Sequence, residues 1–222
     1  MEFFPELIEQ SGIIHAFTLR AKGIDVDHER DTAVQNLIPF YGDCVREIGG
    51  DFELLQTAEQ VHGNGIAKAG NGGEGLLPNL HLGVDALMTN EPGKLLGILV
   101  ADCCAVYVFD PVHRAIGLAH SGKKGSELGI VLTMLRRMND AYGTSPAEVI
   151  VRLSPCIRPP DYEVDFASDI RRQCSTVGVP EDSIHDDLIS TAKNPERYYS
   201  YRVEKGRTGR MLALLGIQVG QM

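Results

Sequence analysis

Cys103 and His120 are the first residues in this chain whose types and spacing could do chemistry together. The run at 95–109, LLGILVADCCAVYVF, carries one charge, Asp102, and is otherwise rich in Val, Leu and Ile, which suits a strand buried on both faces. Asp102, Cys103 and Cys104 in its middle form a polar cluster, and such a cluster costs free energy unless its groups are paired. Asp110-Pro111-Val112-His113 interrupts the run and the segment at 115–119, AIGLA, resumes it, the pattern of a hairpin with a short loop. A turn centred between Pro111 and Val112 sets Cys103 opposite His120. Directly opposed residues have Cβ atoms within about 5.5 Å, near enough to share a metal ion or to form a thiolate–imidazolium pair. The same geometry serves a cysteine nucleophile with a histidine base.

The elements that must position these groups can be read around them. The segment at 11–20, SGIIHAFTLR, alternates weakly and reads as a strand ending on Arg20. Asp31 reads as the cap of a helix with Val34, Leu37, Ile38, Tyr41, Val45 and Ile48 on one side, Pro39 as a kink or break, and Gly49-Gly50 as its end. A strand at 52–61 delivers Gln60 and His62. The glycine-rich stretch at 63–75 fits neither dinucleotide nor P-loop spacing and reads as a surface excursion. Strands are expected at 83–89, 148–153, 198–203 (bearing Arg202) and 211–219, and a helix at 162–177. After His120, Ser121-Gly122-Lys123-Lys124-Gly125 opens a helix with the stripe Leu128, Val131, Leu132, Leu135 and Met138. Free backbone N–H groups, the helix dipole and two lysines would welcome an anion there.

Composition narrows the classes. With 222 residues and 43% apolar content the chain is expected to form one domain over 1–222. A net charge of -9 argues against a nucleic-acid partner. No run approaches the roughly 18 apolar residues of a membrane span, and MEFFPELIEQ is no secretion leader, so no membrane partner and a cytoplasmic location are expected. The five cysteines are odd in number and scattered, which speaks for thiols, ligands or core rather than disulfides. Cys104 and Cys174 read as core. His15, His28, His81, His113 and His185 read as structural or surface residues.

Five motifs in order then resemble one family: QVHG at 60–63, ADC at 101–103, AHSGKKG at 119–125, SPCIRPPDYEV at 154–164, and SYR at 200–202 with GRTGRM at 206–211. The chain is similar to the purine nucleoside phosphorylases formerly called multicopper polyphenol oxidase or laccase-domain proteins. The resemblance implies an α+β fold, a four-layer α/β/β/α sandwich with mixed sheets. It implies a zinc ion on His62, Cys103 and His120, with copper the lesser alternative. It also implies phosphorolysis of adenosine, inosine, guanosine and S-methyl-5′-thioadenosine, with adenosine deamination as a second activity. Three protein ligands leave a fourth tetrahedral position open, as catalytic zinc requires. A water there would have its pKa lowered for attack on C6 of adenine. Asp102 joins Cys103 and His120 as a catalytic candidate. Arg20, Gln60, Lys123, Lys124 and Arg202 are the candidates for binding nucleoside and phosphate.

The chain departs from the family where HAGWRG is usual. Here His120-Ser121-Gly122-Lys123-Lys124-Gly125 replaces Trp and Arg by Lys, which neither stacks on a base nor forks an anion in the same way. Three rival readings follow: a copper oxidase, a cysteine hydrolase on Cys103 and His120, and a purine-binding homologue without turnover. The copper reading is weakened by seven histidines, against the roughly ten that a multicopper centre requires.

Overall fold

The apolar run at 95–109 forms two strands, in two different sheets. In the computed structural model, which describes residues 1–219, β6 (Leu95–Val100) belongs to one sheet and β7 (Cys104–Asp110) to the other. The polar residues Asp102 and Cys103 lie in the link that steps between them. This corrects the reading of a single doubly buried strand: the polar cluster marks where the ladder ends, so its groups bond to loops instead of interrupting a sheet.

The first sheet has the order β1-β11-β6-β2-β4, from β1 (Ile13–Phe17), β11 (Met211–Ile217), β6, β2 (Leu55–Ala58) and β4 (Leu80–His81). The second runs β10-β9-β7-β8-β5-β3, from β10 (Ile184–His185), β9 (Ile150–Leu153), β7, β8 (Ala115–Ser121), β5 (Ala86–Thr89) and β3 (Ile66–Lys68). Both sheets are mixed. β2 runs parallel to β6 and β4, β3 parallel to β5 and β10 parallel to β9, while the pairs β1–β11, β11–β6, β9–β7, β7–β8 and β8–β5 are antiparallel.

Alternation along each strand decides which core a side chain enters. From β7, Ala105, Tyr107 and Phe109 join the core shared with Leu96, Ile98, Ala213 and Leu215 of the first sheet. The Tyr107 hydroxyl donates across the sheets to the Ala16 carbonyl at 2.9 Å. Cys104, Val106 and Val108 point the other way, against Met134 and Met138 of α4 (Ile130–Tyr142) and Ile170 and Cys174 of α5 (Phe166–Thr176). Gly117 permits this close packing, since a Cβ there would meet the Met134 and Met138 sulfurs at 2.8 and 3.0 Å. α2 (Arg30–Glu47) buries Val34, Leu37, Tyr41 and Val45 in the core that contains the first sheet. The four-layer α/β/β/α order is therefore the observed one. Short helices α1 (Pro5–Ile8) and α3 (Lys123–Glu127) complete it. Among the described residues, no helix is long and apolar enough to cross a membrane.

Several elements differ from expectation. The β7–β8 loop is centred one residue later, so Ala105, not Cys103, lies opposite His120. Because the shift amounts to two paired positions, the face is preserved. The segment at 52–61 is strand only over β2, preceded by a 3-10 turn at Phe52–Leu54. Residues 198–203 form turns, closed by Glu204 N–H donating to the Ser200 carbonyl at 3.0 Å, instead of a strand. Tyr198 and Tyr199 there satisfy the core, which accounts for the apolar signal. Pro39 sits on the exposed side of α2, which continues through it, and Glu29, not Asp31, is the capping position.

Candidate metal centre

Three segments deliver three donors to one point. Cys103 comes from the β6–β7 link, His120 from the end of β8, and His62 from the loop after β2. One ligand atom from each lies within 4.8 Å of the others. The two imidazole rings meet edge to face, 4.8 Å between centroids at 82°. Asp102, with φ +79°, and His62, with φ +58°, hold left-handed backbone conformations that aim the link and the loop inward.

The donor set fits a metal ion. Two imidazoles and a thiolate suit zinc, whose bonds of about 2.0–2.3 Å bring tetrahedral ligands to about 3.5 Å from one another. Closure falls to His62, which is exposed and can swing, while His120 is buried. Burial pushes the Cys103 thiol up, but the His120 charge and hydrogen bonds from His120 and His62 outweigh it and bring it to about 6. Burial lowers His120, yet the Cys103 thiolate and the Asp85 carboxylate raise it to about 9. The pair is thus a thiolate facing an imidazolium when no ion intervenes.

Asp85, which sequence reasoning missed, organises two of the three ligands. Its fully buried carboxylate lies 3.0 Å from His120 Nδ1 and accepts from the His62 amide at 2.8 Å and the Gly63 amide at 2.7 Å. Burial alone would raise it; the His120 bond and the Gly63 and His62 amides hold it below the usual carboxylate range. With Nδ1 committed, His120 presents Nε2 to the centre. A carboxylate that fixes a ligand's tautomer in this way is a common support of metal sites. The signal was available: Asp85 is the sole charge in the otherwise apolar GVDALMT.

Asp102 is also placed as a support. Oδ1 accepts from the Thr191 hydroxyl at 2.7 Å, and Oδ2 from the Ser200 hydroxyl at 3.0 Å and the Arg202 amide at 2.7 Å. Its own carbonyl accepts from the Ile157 amide at 2.8 Å. Three loops are therefore tied to the residue preceding Cys103.

The centre opens into a cavity of about 800 Å³. Gln60 lines it, with its side chain anchored to both backbone groups of Leu99 at 2.6 and 2.9 Å. Lys123 and Arg202 line it too, the latter 3.1 Å from Glu163. Arg20 and Lys124 do not line it. Arg20 is held by Glu204 at 2.6 Å and lies over the Tyr199 ring. Lys124 is one position too far along α3, which at five residues is also separate from the expected longer helix. Arg30, Lys205, Arg207 and Arg210, unassigned from sequence, join the wall, so a protein of charge -9 gathers six cations around one opening. Tyr162 and Tyr201 supply aromatic faces, with the Arg202 guanidinium 5.4 Å from the Tyr162 centroid, while Phe166 reaches the wall from the core and is buried.

Comparison with known proteins agrees with this architecture. The family model described as multi-copper polyphenol oxidoreductase laccase matches residues 28–169 and 164–218. A relative from Geobacillus stearothermophilus named purine nucleoside phosphorylase YlmD is 31% identical, over 74% of this chain and 72% of its own. The Staphylococcus aureus protein named purine nucleoside phosphorylase SAR1163 is 28% identical over 97% of this chain and 95% of its own. Among solved structures, YlmD from Geobacillus stearothermophilus superposes with a TM-score of 0.82 at 25% identity, covering 97% of this chain and 94% of that one. Bacillus licheniformis YfiH shares the fold at a TM-score of 0.81 and 21% identity, covering 95% and 94%.

Proposed function

The chain belongs to the multi-copper polyphenol oxidoreductase laccase family, and from that premise we propose that it is a zinc-dependent purine nucleoside phosphorylase. Its substrates on this reading are adenosine, inosine, guanosine and S-methyl-5′-thioadenosine, with adenosine deamination as a second activity. The observation that carries the reading is one cavity holding a His62–Cys103–His120 donor set, a cationic wall and aromatic faces. Phosphorolysis needs all of these: an anion site for phosphate, a surface for the purine, and charge stabilisation where the glycosidic bond breaks.

In the reaction a phosphate oxygen bonds to C1′ of the ribose as the C1′–N9 bond breaks. The electron pair of that bond leaves with the purine, and the proton of hydrogen phosphate passes to the base. The products are free base and the sugar 1-phosphate, which is ribose 1-phosphate from adenosine, inosine or guanosine and 5-methylthioribose 1-phosphate from S-methyl-5′-thioadenosine. The cations of the wall hold phosphate beside C1′, and Tyr162 and Tyr201 present faces on which a purine stacks. Asp85 and Asp102 act as positioning residues, the first for His120 and His62, the second for the Cys103 link. A zinc ion on the three donors would supply positive charge to substrate groups that become negative.

The test is incubation of metal-loaded protein with each nucleoside, with and without phosphate. Phosphate-dependent release of free base supports the reading, and no release from any purine nucleoside overturns it. Metal analysis of protein purified without added copper, run beside a phenol oxidation assay, discriminates the oxidase: stoichiometric copper together with turnover would favour it.

A further inference from the structure

Three arginines are buried among the described residues, and two have carboxylate partners. Arg152 pairs with Asp187 and Glu6, and Arg158 with Asp186. Arg210, only 9% exposed, forms no ion pair among the described residues, although the chain carries 30 carboxylates. Its Nη1 donates to the carbonyls of Thr208 at 2.6 Å and Gly209 at 2.9 Å. Nε and Nη2 have no acceptor among the described residues, and the side chain lines the cavity of the metal centre. Among the described residues no carboxylate pairs with this buried guanidinium: the Tyr201 ring lies 5.8 Å away and the Cys103 thiolate adds a weaker attraction from the metal centre, so Nε and Nη2 remain open to an anion in the cavity.

The surroundings sharpen this. The cavity wall brings a second guanidinium, Arg30, whose own bonds are long: 3.3 Å to Asp31 Oδ1 and 3.4 Å to the Glu59 carbonyl. Burial and then the Arg30 charge hold Arg210 below the usual arginine range, so like charges face one another here. The other wall cations are differently placed. Arg207 is taken by Asp27 at 2.7 Å and Arg202 by Glu163 at 3.1 Å, while Lys123 and Lys205 are flexible side chains without a fixed fork. Arg210 is also held in place. The Tyr41 hydroxyl donates to its carbonyl at 2.7 Å, and a Cβ on the preceding Gly209 would meet the Tyr199 ring at 2.6 Å.

We propose that Arg210, with Arg30, is the seat of a tetrahedral oxyanion in this cavity, and that the oxyanion is the inorganic phosphate of the reaction. The identification with phosphate rests on the phosphorylase reading; the seat itself rests on the unpaired guanidinium. Two adjacent guanidiniums match the geometry of a phosphate better than ammonium groups do. The anion is thereby assigned to guanidiniums of α2 and the 206–210 segment instead of the amides and lysines of the Ser121–Lys124 turn that the sequence suggests.

Titration calorimetry of metal-loaded protein with inorganic phosphate tests the seat without requiring turnover. Wild type is expected to bind saturably, Arg210→Gln about 10–100-fold more weakly, the size of a lost charged hydrogen-bond set. Arg210→Lys should fall between them. Arg30→Gln, on an exposed residue, should also weaken binding and guards against a misfolded Arg210 variant. In turnover, the KM for phosphate should rise in each variant with zinc content unchanged. The assignment is overturned if wild type shows no saturable phosphate binding. It is equally overturned if Arg210→Gln and Arg30→Gln bind as wild type does, or if Lys123→Gln alone loses binding. Failure of the phosphorylase reading looks different: phosphate binding would depend on Arg210, yet no purine nucleoside would release base.

Discussion

The Asp85 carboxylate lies 3.0 Å from His120 Nδ1, and the same oxygen accepts the His62 amide, so one buried acid on the β5 side orients two candidate metal donors from different segments. Asp85→Asn keeps the shape but replaces a charged acceptor by an amide that favours the wrong tautomer. Zinc affinity should fall about 10–100-fold, as for other carboxylate supports of ligating histidines. Competition against a chromophoric chelator measures it, and an unchanged affinity would remove Asp85 from the centre.

Removal of the metal has its own expected signature. Cys103→Ser should retain far less zinc than wild type, and equal metal content in the two would refute the ligand set. In stripped wild-type protein the Cys103 thiolate becomes the preferred site of iodoacetamide, since the other four cysteines are buried. Reloading zinc should suppress that labelling. Retention of full activity after complete stripping would instead favour the cysteine hydrolase.

Asp102 supports a different prediction, about stability. Asp102→Ala loses three side-chain hydrogen bonds and places a β-carbon residue without polar reach at φ +79°. We expect about 3–5 kcal/mol of destabilisation in denaturant unfolding. Asp102→Asn should cost less, because Asn tolerates the left-handed region and still bonds on one side. A negligible loss in both variants would mean that the carboxylate and its three bonds matter little.

His15 sets a pH window for folding. Its Nε2 accepts from the Phe4 amide at 2.8 Å, which requires the neutral ring, and the ring stacks on Phe4. Burial, then the Arg152 charge, lowers its pKa from 6.5 to about 4. The unfolded chain therefore binds a proton between those values that the folded chain refuses, and stability falls as pH drops from 6.5 to about 4. The loss from this group amounts to about 3 kcal/mol, with none above the window and no further loss below it. His15→Gln should flatten this part of the stability curve; an identical slope in both proteins would assign the loss elsewhere.

Much of the fold was legible because alternation and helical spacing are local. The strands at β1, β9 and β11 and the Val131, Leu135 and Met138 stripe of α4 follow from short-range pattern alone. The run at 95–109 misled because continuous apolarity is the same whether a chain stays in one sheet or crosses to another. Residues 198–203 misled for a related reason, since buried tyrosines in a turn resemble strand residues.

The sequence by itself singled out His62, Cys103 and His120 as a candidate donor set. His62, Cys103 and His120 lie in motifs whose order survives any uncertainty about register, and a two-position shift leaves Cys103 and His120 on one face because the strand period is two. Only the tertiary structure decided what surrounds them. Asp85, Arg30 and Arg210 reach the site from elements far apart in the chain, and whether a charge there is paired or open depends on loops packed together in space. Burial and counter-charge are properties of that packing, and no local pattern carries them.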